Sequence, residues 1–271
     1  QGGSYTNQVR LDVEGLDPQR FLAAWQATMD ARDVLRTSFV WQGSLEQPVQ
    51  VVHPHVSVPF TVLDWQGRAD LMAQLDARAL AELAQGFDLT QAPLLRLVLI
   101  RVDALRYHLI YTNHHILMDG WSASQLMGEV LQRYSGETLA LNAGRYRDYI
   151  QWLQRQDAEA SERFWKEQLL ALNEPTHLAR AIAHTPVAGS QALYGEQRQV
   201  VDEPTTQRLR SLAQAHKVTL NTLVQAAWLL LLKRYTGQSS VAFGATVSGR
   251  PADLKGVEQQ IGLFINTLPV I

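Results

Sequence analysis

The chain has no cysteine among its 271 residues. That excludes disulfides, thiolate metal ligands and a cysteine nucleophile, and it fits a reducing, cytoplasmic compartment. Surplus charge is nearly absent too: 24 Lys and Arg stand against 26 Asp and Glu, a net of −2. Nothing in that balance asks for nucleic acid or an anionic membrane as partner. Long apolar runs are missing. The longest, Ala226 to Leu232, falls far short of the about 20 residues that a membrane span requires. No signal peptide is visible, and no short-period repeat. There is no Gly-x-Ser-x-Gly elbow. With cysteine also absent, any acyl chemistry reads as direct transfer rather than a covalent acyl-enzyme. The chain begins Gln1-Gly2-Gly3 without methionine, so the expectation is a piece excised from something longer.

What is present supports a folded α/β protein. Hydrophobic residues make up 46% and charged residues 18%, enough for a sizeable core. The length suits one large domain or two small ones. Alternating or continuous apolar stretches predict strands at residues 9–13, 49–52, 58–62, 97–102, 107–112, 197–201 and 241–247. Asp17-Pro18 opens a helix with a cap followed by proline, and Phe21, Leu22, Trp25 and Met29 line its inner face. Leu71, Leu75, Ala79 and Leu83 recur four apart in a second helix at 68–85. Further helices are expected over 122–134, around Tyr149 to Leu153, through Phe164 and Leu169, over 204–216 and over 220–235. The last is apolar nearly all round, so it is expected to be buried on most sides, with Gly237 ending it. Residues 173–195 lose periodicity and collect Pro175, Pro186, Gly189 and Gly195, the mark of a linker. The expected organisation is an N-terminal lobe at 1–172, a linker at 173–195 and a C-terminal lobe at 196–271.

Where the 107–112 strand hands over to the 122–134 helix stands Asn113-His114-His115-Ile116-Leu117-Met118-Asp119-Gly120-Trp121-Ser122. Such junction loops carry function because a rigid scaffold positions them. An imidazole exchanges protons near neutral pH. Asp119 can hold the loop by pairing with an arginine or can orient a histidine, and Gly120 permits a backbone conformation that a side chain would forbid. A lone histidine would read as an ordinary strand end and a lone aspartate as a helix cap. The two together at this junction read as a site. No third ligand stands at a usual metal spacing, so no metal is expected.

His114-His115-x-x-x-Asp119-Gly120-Trp121-Ser122 resembles the core motif of the condensation domains of non-ribosomal peptide synthetases, which are similar in fold to chloramphenicol acetyltransferase. The likeness continues along the chain. Ala31-Arg32-Asp33-Val34-Leu35-Arg36-Thr37-Ser38-Phe39 resembles an arginine-histidine-glutamate-x-leucine-arginine-threonine-x-phenylalanine stretch, but Ala31, Arg32 and Asp33 depart from it. Tyr146-Arg147-Asp148-Tyr149-Ile150-Gln151-Trp152 resembles a tyrosine-x-aspartate-aromatic-x-x-tryptophan motif. Gly262-Leu263-Phe264-Ile265-Asn266-Thr267 resembles a glycine-x-phenylalanine-x-asparagine-threonine motif. Ser248-Gly249-Arg250-Pro251 is a further specific feature without an assigned role.

The resemblance implies an α/β (α+β) fold of two chloramphenicol-acetyltransferase-like lobes in a V, the second truncated. It implies amide formation between a donor thioester and an acceptor amine, both on phosphopantetheine arms of upstream and downstream carrier proteins beside an adenylation domain, with no cofactor of the domain's own. The site residues it implies are His115 as the reacting histidine, with His114, Asp119 and Gly120. Trp121, Ser122, Arg36 and Asn266 stand as substrate or structural support. Arg36 is held by the resemblance to be structural, close to the loop, although by residue type alone it reads equally as a surface arginine. Asn266 reads equally as a strand-turn asparagine. An epimerisation domain and a non-catalytic carrier-docking module remain alternatives, and a heterocyclisation domain, which carries aspartate in place of the histidines, is disfavoured. Ile116-Leu117-Met118 inside the motif, with Leu263-Phe264-Ile265-Asn266-Thr267-Leu268-Pro269, is more like the subtype that follows epimerisation domains and accepts a D-configured donor.

Overall fold

The computed structural model describes residues 5–41, 43, 45–139, 144–182 and 197–271. By packing, the chain divides into two compact units, Gln1–Gln156 with Ser248–Ile265 and Asp157–Val247 with Asn266–Ile271. Residues 157–172, expected in the N-terminal lobe, therefore group with the second unit, and 248–265, expected in the C-terminal lobe, group with the first.

The first unit runs β1 (Thr6–Glu14), α1 (Pro18–Ala31), β2 (Thr37–Val40), β3 (Val49–Val52), β4 (Phe60–Asp64), α2 (Leu71–Gln85), β5 (Leu95–Arg101), β6 (Arg106–His114), α3 (Gly120–Tyr134) and α4 (Tyr146–Gln154). Its main sheet has the order β1-β6-β5-β4. β6 lies antiparallel to both neighbours, and β4 is parallel to β5. The run Leu-Arg-Leu-Val-Leu-Ile of β5 is apolar on both sides because both faces of the sheet are covered. Leu97 and Leu99 of β5, with Leu109 and Tyr111 of β6, meet Phe21, Trp25 and Met29 of α1 and Leu126 and Val130 of α3. Val98, Ile100 and Ile110 point the other way, onto Leu75 and Ala79 of α2. The Asp17 carboxylate accepts from the amides of Gln19 and Arg20 at 2.9 and 3.0 Å, so the expected cap and proline do open α1. β2 and β3 form a separate two-stranded ribbon.

The second unit holds α5 (Ala158–Leu169), α6 (Leu178–Ile182), α7 (Glu203–Ala215), α8 (Leu220–Thr236), β7 (Phe243–Val247) and β8 (Asn266–Val270), the two strands pairing antiparallel. Three expectations change here. Residues 197–201 form no strand; Val200 is 93% exposed, and a strand requires a partner ladder that no described neighbour supplies. Part of the expected linker is ordered: α6 falls within it, Thr176 exchanges hydrogen bonds with Ala242, and Gln238 holds the backbone of Pro175 and His177. The remainder, 183–195, lies outside the described residues. Finally, α8 is not buried on most sides. Of its apolar residues only Leu232 is fully enclosed, while Val224, Leu230, Leu231 and Tyr235 are open. Apolar composition sets the wish for burial, but what packs on it, chiefly α6 and α7, covers little of its surface. Its ends are as expected, with Thr219 capping the start and Gly237 in the left-handed region at the close. No described helix is long and apolar enough to cross a membrane.

Candidate active site

β6 is the central strand beside β1, and it delivers the histidines. His114 is its last residue, and its amide donates to the carbonyl of Leu94 at 2.9 Å. The His114 ring sits between Tyr5 and the edge of Phe87, with centroids 6.3 and 6.4 Å away. Its Nδ1 accepts the amide hydrogen of Ile116 at 3.1 Å. A ring nitrogen that accepts is unprotonated, so the neutral ring carries its hydrogen on Nε2. Burial pulls the His114 pKa below the ordinary histidine value, and the neighbouring charge of His115 adds to this. His114 therefore acts as the cap of the next turn.

That turn is a 3₁₀ turn, His115–Leu117. Its start is pinned by the His115 amide, which donates to the carbonyl of Tyr5 at 2.7 Å. Its end is pinned by Leu117 and Met118, 0% and 1% exposed. The His115 ring itself is half-buried and accepts or donates no hydrogen bond among the described residues. A fixed backbone thus presents an uncommitted imidazole.

Asp119 is the opposite case. It is 2% exposed. One carboxylate oxygen caps α3 by accepting from the Ser122 amide at 2.8 Å, and the other accepts from the Phe264 amide at 3.0 Å. Its own amide donates to the Gly262 carbonyl at 3.1 Å. Arg250 Nη2 lies 3.7 Å from Asp119 Oδ1, both side chains nearly fully buried. Ser122 completes the fastening: its hydroxyl donates to the Gly262 carbonyl at 2.8 Å and accepts from the Gly262 amide at 3.1 Å and from Arg250 at 2.7 Å. Trp121 donates its indole N–H to the Glu258 carbonyl at 3.2 Å, and Gln125 donates to the same oxygen. One carboxylate oxygen of Asp119 thus fastens the first turn of α3, and the other ties segment 248–265 to it.

Two glycines make that contact close. A side chain at Gly249 would stand 2.0 Å from the Phe264 carbonyl oxygen, and one at Gly262 would stand 2.1 Å from the Tyr146 ring. The Phe264 ring lies under the Arg250 guanidinium, 4.0 Å from its carbon to the centroid, and packs on Tyr146 and Tyr149. The Tyr146 hydroxyl donates to the Leu263 carbonyl at 2.8 Å, and burial raises its pKa well above that of free tyrosine. The tyrosine motif of α4 and the Ile-Gly-Leu-Phe motif are thus one packed unit behind the loop.

Several site expectations are refined by this geometry. Gly120 is the first residue of α3 with no left-handed φ, and a Cβ there meets nothing within 4 Å. The backbone freedom expected of it is not used, and nothing in the described residues requires glycine. Arg36 is buried, 7% exposed, rather than a surface arginine. It binds the carbonyls of Met29, His53 and Pro54 and the Asp33 carboxylate, not Asp119. Asn266 opens β8, exposed, and its side-chain oxygen accepts from the Thr267 amide at 2.8 Å. The residue that sequence reasoning left without a role is Arg250. The Ser-Gly-Arg-Pro run was visible, but its carboxylate partner is 131 positions away in number and is joined only by folding. Among the described residues, no three His, Asp or Glu gather as a metal site.

The family model "Condensation domain" matches residues 1–271. The chain is 40% identical to a linear gramicidin synthase of Brevibacillus parabrevis over 281 aligned positions, which take in 100% of this chain and 4% of that protein. It therefore spans only a small part of the length of such relatives. Among solved structures it is similar to SgcC5 of Streptomyces globisporus, with a TM-score of 0.74 and 21% identity over 99% of this chain and 62% of that one, a likeness of fold alone. It is also similar to the X-domain solved in complex with OxyB from teicoplanin biosynthesis, with a TM-score of 0.76 and 25% identity over 98% of this chain and 60% of that one. The mixed α/β architecture is that of the chloramphenicol-acetyltransferase-like structures. With its family model matched over residues 1–271 and a relative 40% identical over the whole of this chain, the chain belongs to the condensation-domain family of non-ribosomal peptide synthetases.

Proposed function

We propose that this domain forms an amide between a donor acyl or peptidyl thioester and an acceptor aminoacyl amine, each held on the phosphopantetheine arm of a carrier protein. The amine nitrogen attacks the thioester carbonyl, the C–N bond forms, the C–S bond breaks, and the thiol leaves with the proton lost by the amine. What carries the reading is the uncommitted, half-buried His115 ring on a pinned turn. An α-amino group has a pKa of about 8, so freeing it at pH 7 costs only about 1.4 kcal/mol. His115 is therefore not needed to create the nucleophile. Its work is to take the proton that becomes acidic as the bond forms, or to donate to the developing oxyanion. Asp119, Ser122, Trp121 and Gly120 belong to the scaffold of the loop in this reading, His114 to its cap, and Arg36 and Asn266 to support.

The partners are an upstream donor carrier, a downstream acceptor carrier and a neighbouring adenylation domain. Phosphopantetheine enters as part of the substrates. The isolated 271-residue chain is proposed to be inactive, because the open apolar face of α8 favours association over a single ordered state. A second reading is a docking module that binds a partner without chemistry. It is favoured by the solved complex of the similar X-domain with OxyB. An epimerisation domain, working by proton abstraction at Cα, fits Asp119-Gly120-Trp121-Ser122 less well, since its motif usually continues aspartate-x-valine-serine-tryptophan.

The test is amide formation by the intact protein from loaded donor and acceptor carriers, followed by mass spectrometry. Product from the parent and its loss in His115→Ala is expected. Carrier binding without product would establish the docking reading instead.

A further inference from the structure

Arg32 stands in the stretch where this chain departs from the pattern it resembles, and it is committed to one partner. Its Nε donates to Glu129 Oε2 at 3.0 Å and its Nη2 donates to Glu129 Oε1. The two side chains are 11% and 13% exposed. A two-point fork between a guanidinium and a carboxylate fixes direction as well as distance. Arg32 is itself held, since it closes α1 with its amide on the carbonyls of Thr28 and Met29. Glu129 lies in the middle of α3, ten residues beyond Asp119, which is about 15 Å along the helix axis.

Open space borders Arg32 on two sides. A cavity of about 760 Å³ borders Arg32 on the side of Asp33, Arg36 and Tyr146. Another of about 520 Å³ borders it on the side of Gln125, Gly128 and Gln132. Apolar packing between α1 and α3 runs alongside the ion pair: Trp25 and Met29 share a core with Leu126 and Val130, and the rings of Phe21 and Tyr134 meet edge-on at 6.2 Å. A packed helix moves as a rod, so a shift at Glu129 is delivered to its first turn. That first turn is where Asp119 and Ser122 hold Gly262, Phe264 and Arg250, immediately after the turn of His115.

We propose that Arg32 and Glu129 are a positioning pair. Their forked ion pair sets the height of α3 against α1 and thereby the placement of the Asp119–Ser122 turn behind His115. Its kinetic consequence rests on the amide-forming reading; its structural consequence does not.

The experiment uses the intact protein with Arg32→Met, Glu129→Gln and the charge-exchanged double variant R32E/E129R. Hydrogen exchange is read at the amides of Asp119, Ser122, Gly262 and Phe264, against those of β5 and β6. Turnover from loaded carriers is measured alongside. The single variants should speed exchange at the four reporter amides about tenfold, within the range of coupling through a rigid element. The β5 and β6 amides should stay near the parent. kcat should fall at unchanged KM, and the double variant should recover both. Unchanged reporter amides overturn the inference. So does acceleration that is uniform across β5 and β6, which is global destabilisation only. A parent protein that shows the exchange pattern in its variants yet makes no amide leaves the pair in place and removes the proposed reaction.

Discussion

Two turns lie within eight residues of each other and are built on opposite terms. At Asp119 and Ser122 the side chains are buried, and both carboxylate oxygens and the hydroxyl are engaged, by the amides of Ser122, Gly262 and Phe264 and by Arg250. At His115 the backbone is pinned by Tyr5 while the ring has no hydrogen-bond partner among the described residues. On the proposed function the difference separates holding from reacting. Polar groups that hold are satisfied and desolvated, and their removal leaves buried orphans. A group that reacts must keep its nitrogen free for a substrate. Substitutions at the two turns should therefore fail in different ways.

The sharpest contrast is expected at His115. Replacement by alanine should lower amide formation by about 10²–10⁴-fold, the span of a well-placed general base, with the urea midpoint unchanged. A comparable loss of stability would erase the distinction between the turns. Asp119→Ala should do the reverse, lowering unfolding free energy by about 3–5 kcal/mol because it removes the carboxylate beside the buried Arg250 charge. Urea titration checks this, and a stable but inactive Asp119→Ala would return the carboxylate to the chemistry. Ser122→Ala should cost about 1–3 kcal/mol by orphaning the Gly262 amide and part of Arg250, again with His115 chemistry retained in the folded fraction.

His114 sharpens the comparison from the other side, since it is a histidine that holds. Burial depresses its folded-state pKa, so on acidification the unfolded chain takes up this proton first. Its contribution to stability is complete above the unfolded histidine pKa of about 6.5 and is lost as pH falls below it toward the folded value. His114→Asn should flatten that part of the stability-against-pH curve relative to the parent. An identical slope in both proteins would show that the ring of His114 is not held neutral. The smallest expected effect is in the donor. If Ile116-Leu117-Met118 marks the D-accepting subtype, matched D- and L-configured donors on the upstream carrier should differ in favour of D, and preference for L ends that reading.

Local pattern made much of the first unit readable. The Asp17-Pro18 start, the four-residue spacing of α2 and the strand-to-helix handover at the histidines each depend on neighbours in sequence, and each appears where expected. The doubly covered β5 and β6 were legible as apolar runs for the same reason. The second unit was less so. Residues 197–201 alternate like a strand and pair with nothing described, and α8 has the composition of a buried helix with most of its apolar side chains open. Pairing and burial are properties of what lies alongside, and no window of sequence contains that.

The sequence by itself placed His114, His115, Asp119 and Ser122 on one short loop, because its strand and helix flanks are set by local spacing, and it left Arg250 without a role. Which of their polar groups are taken up in fastening was decided by tertiary structure. Arg250, Gly262 and Phe264 are far along the chain from Asp119, and only folding brings their charge, carbonyl and amides within hydrogen-bonding distance of it. Glycine at 249 and 262 acquires its reason the same way, from a carbonyl and an aromatic ring that approach only in the folded unit.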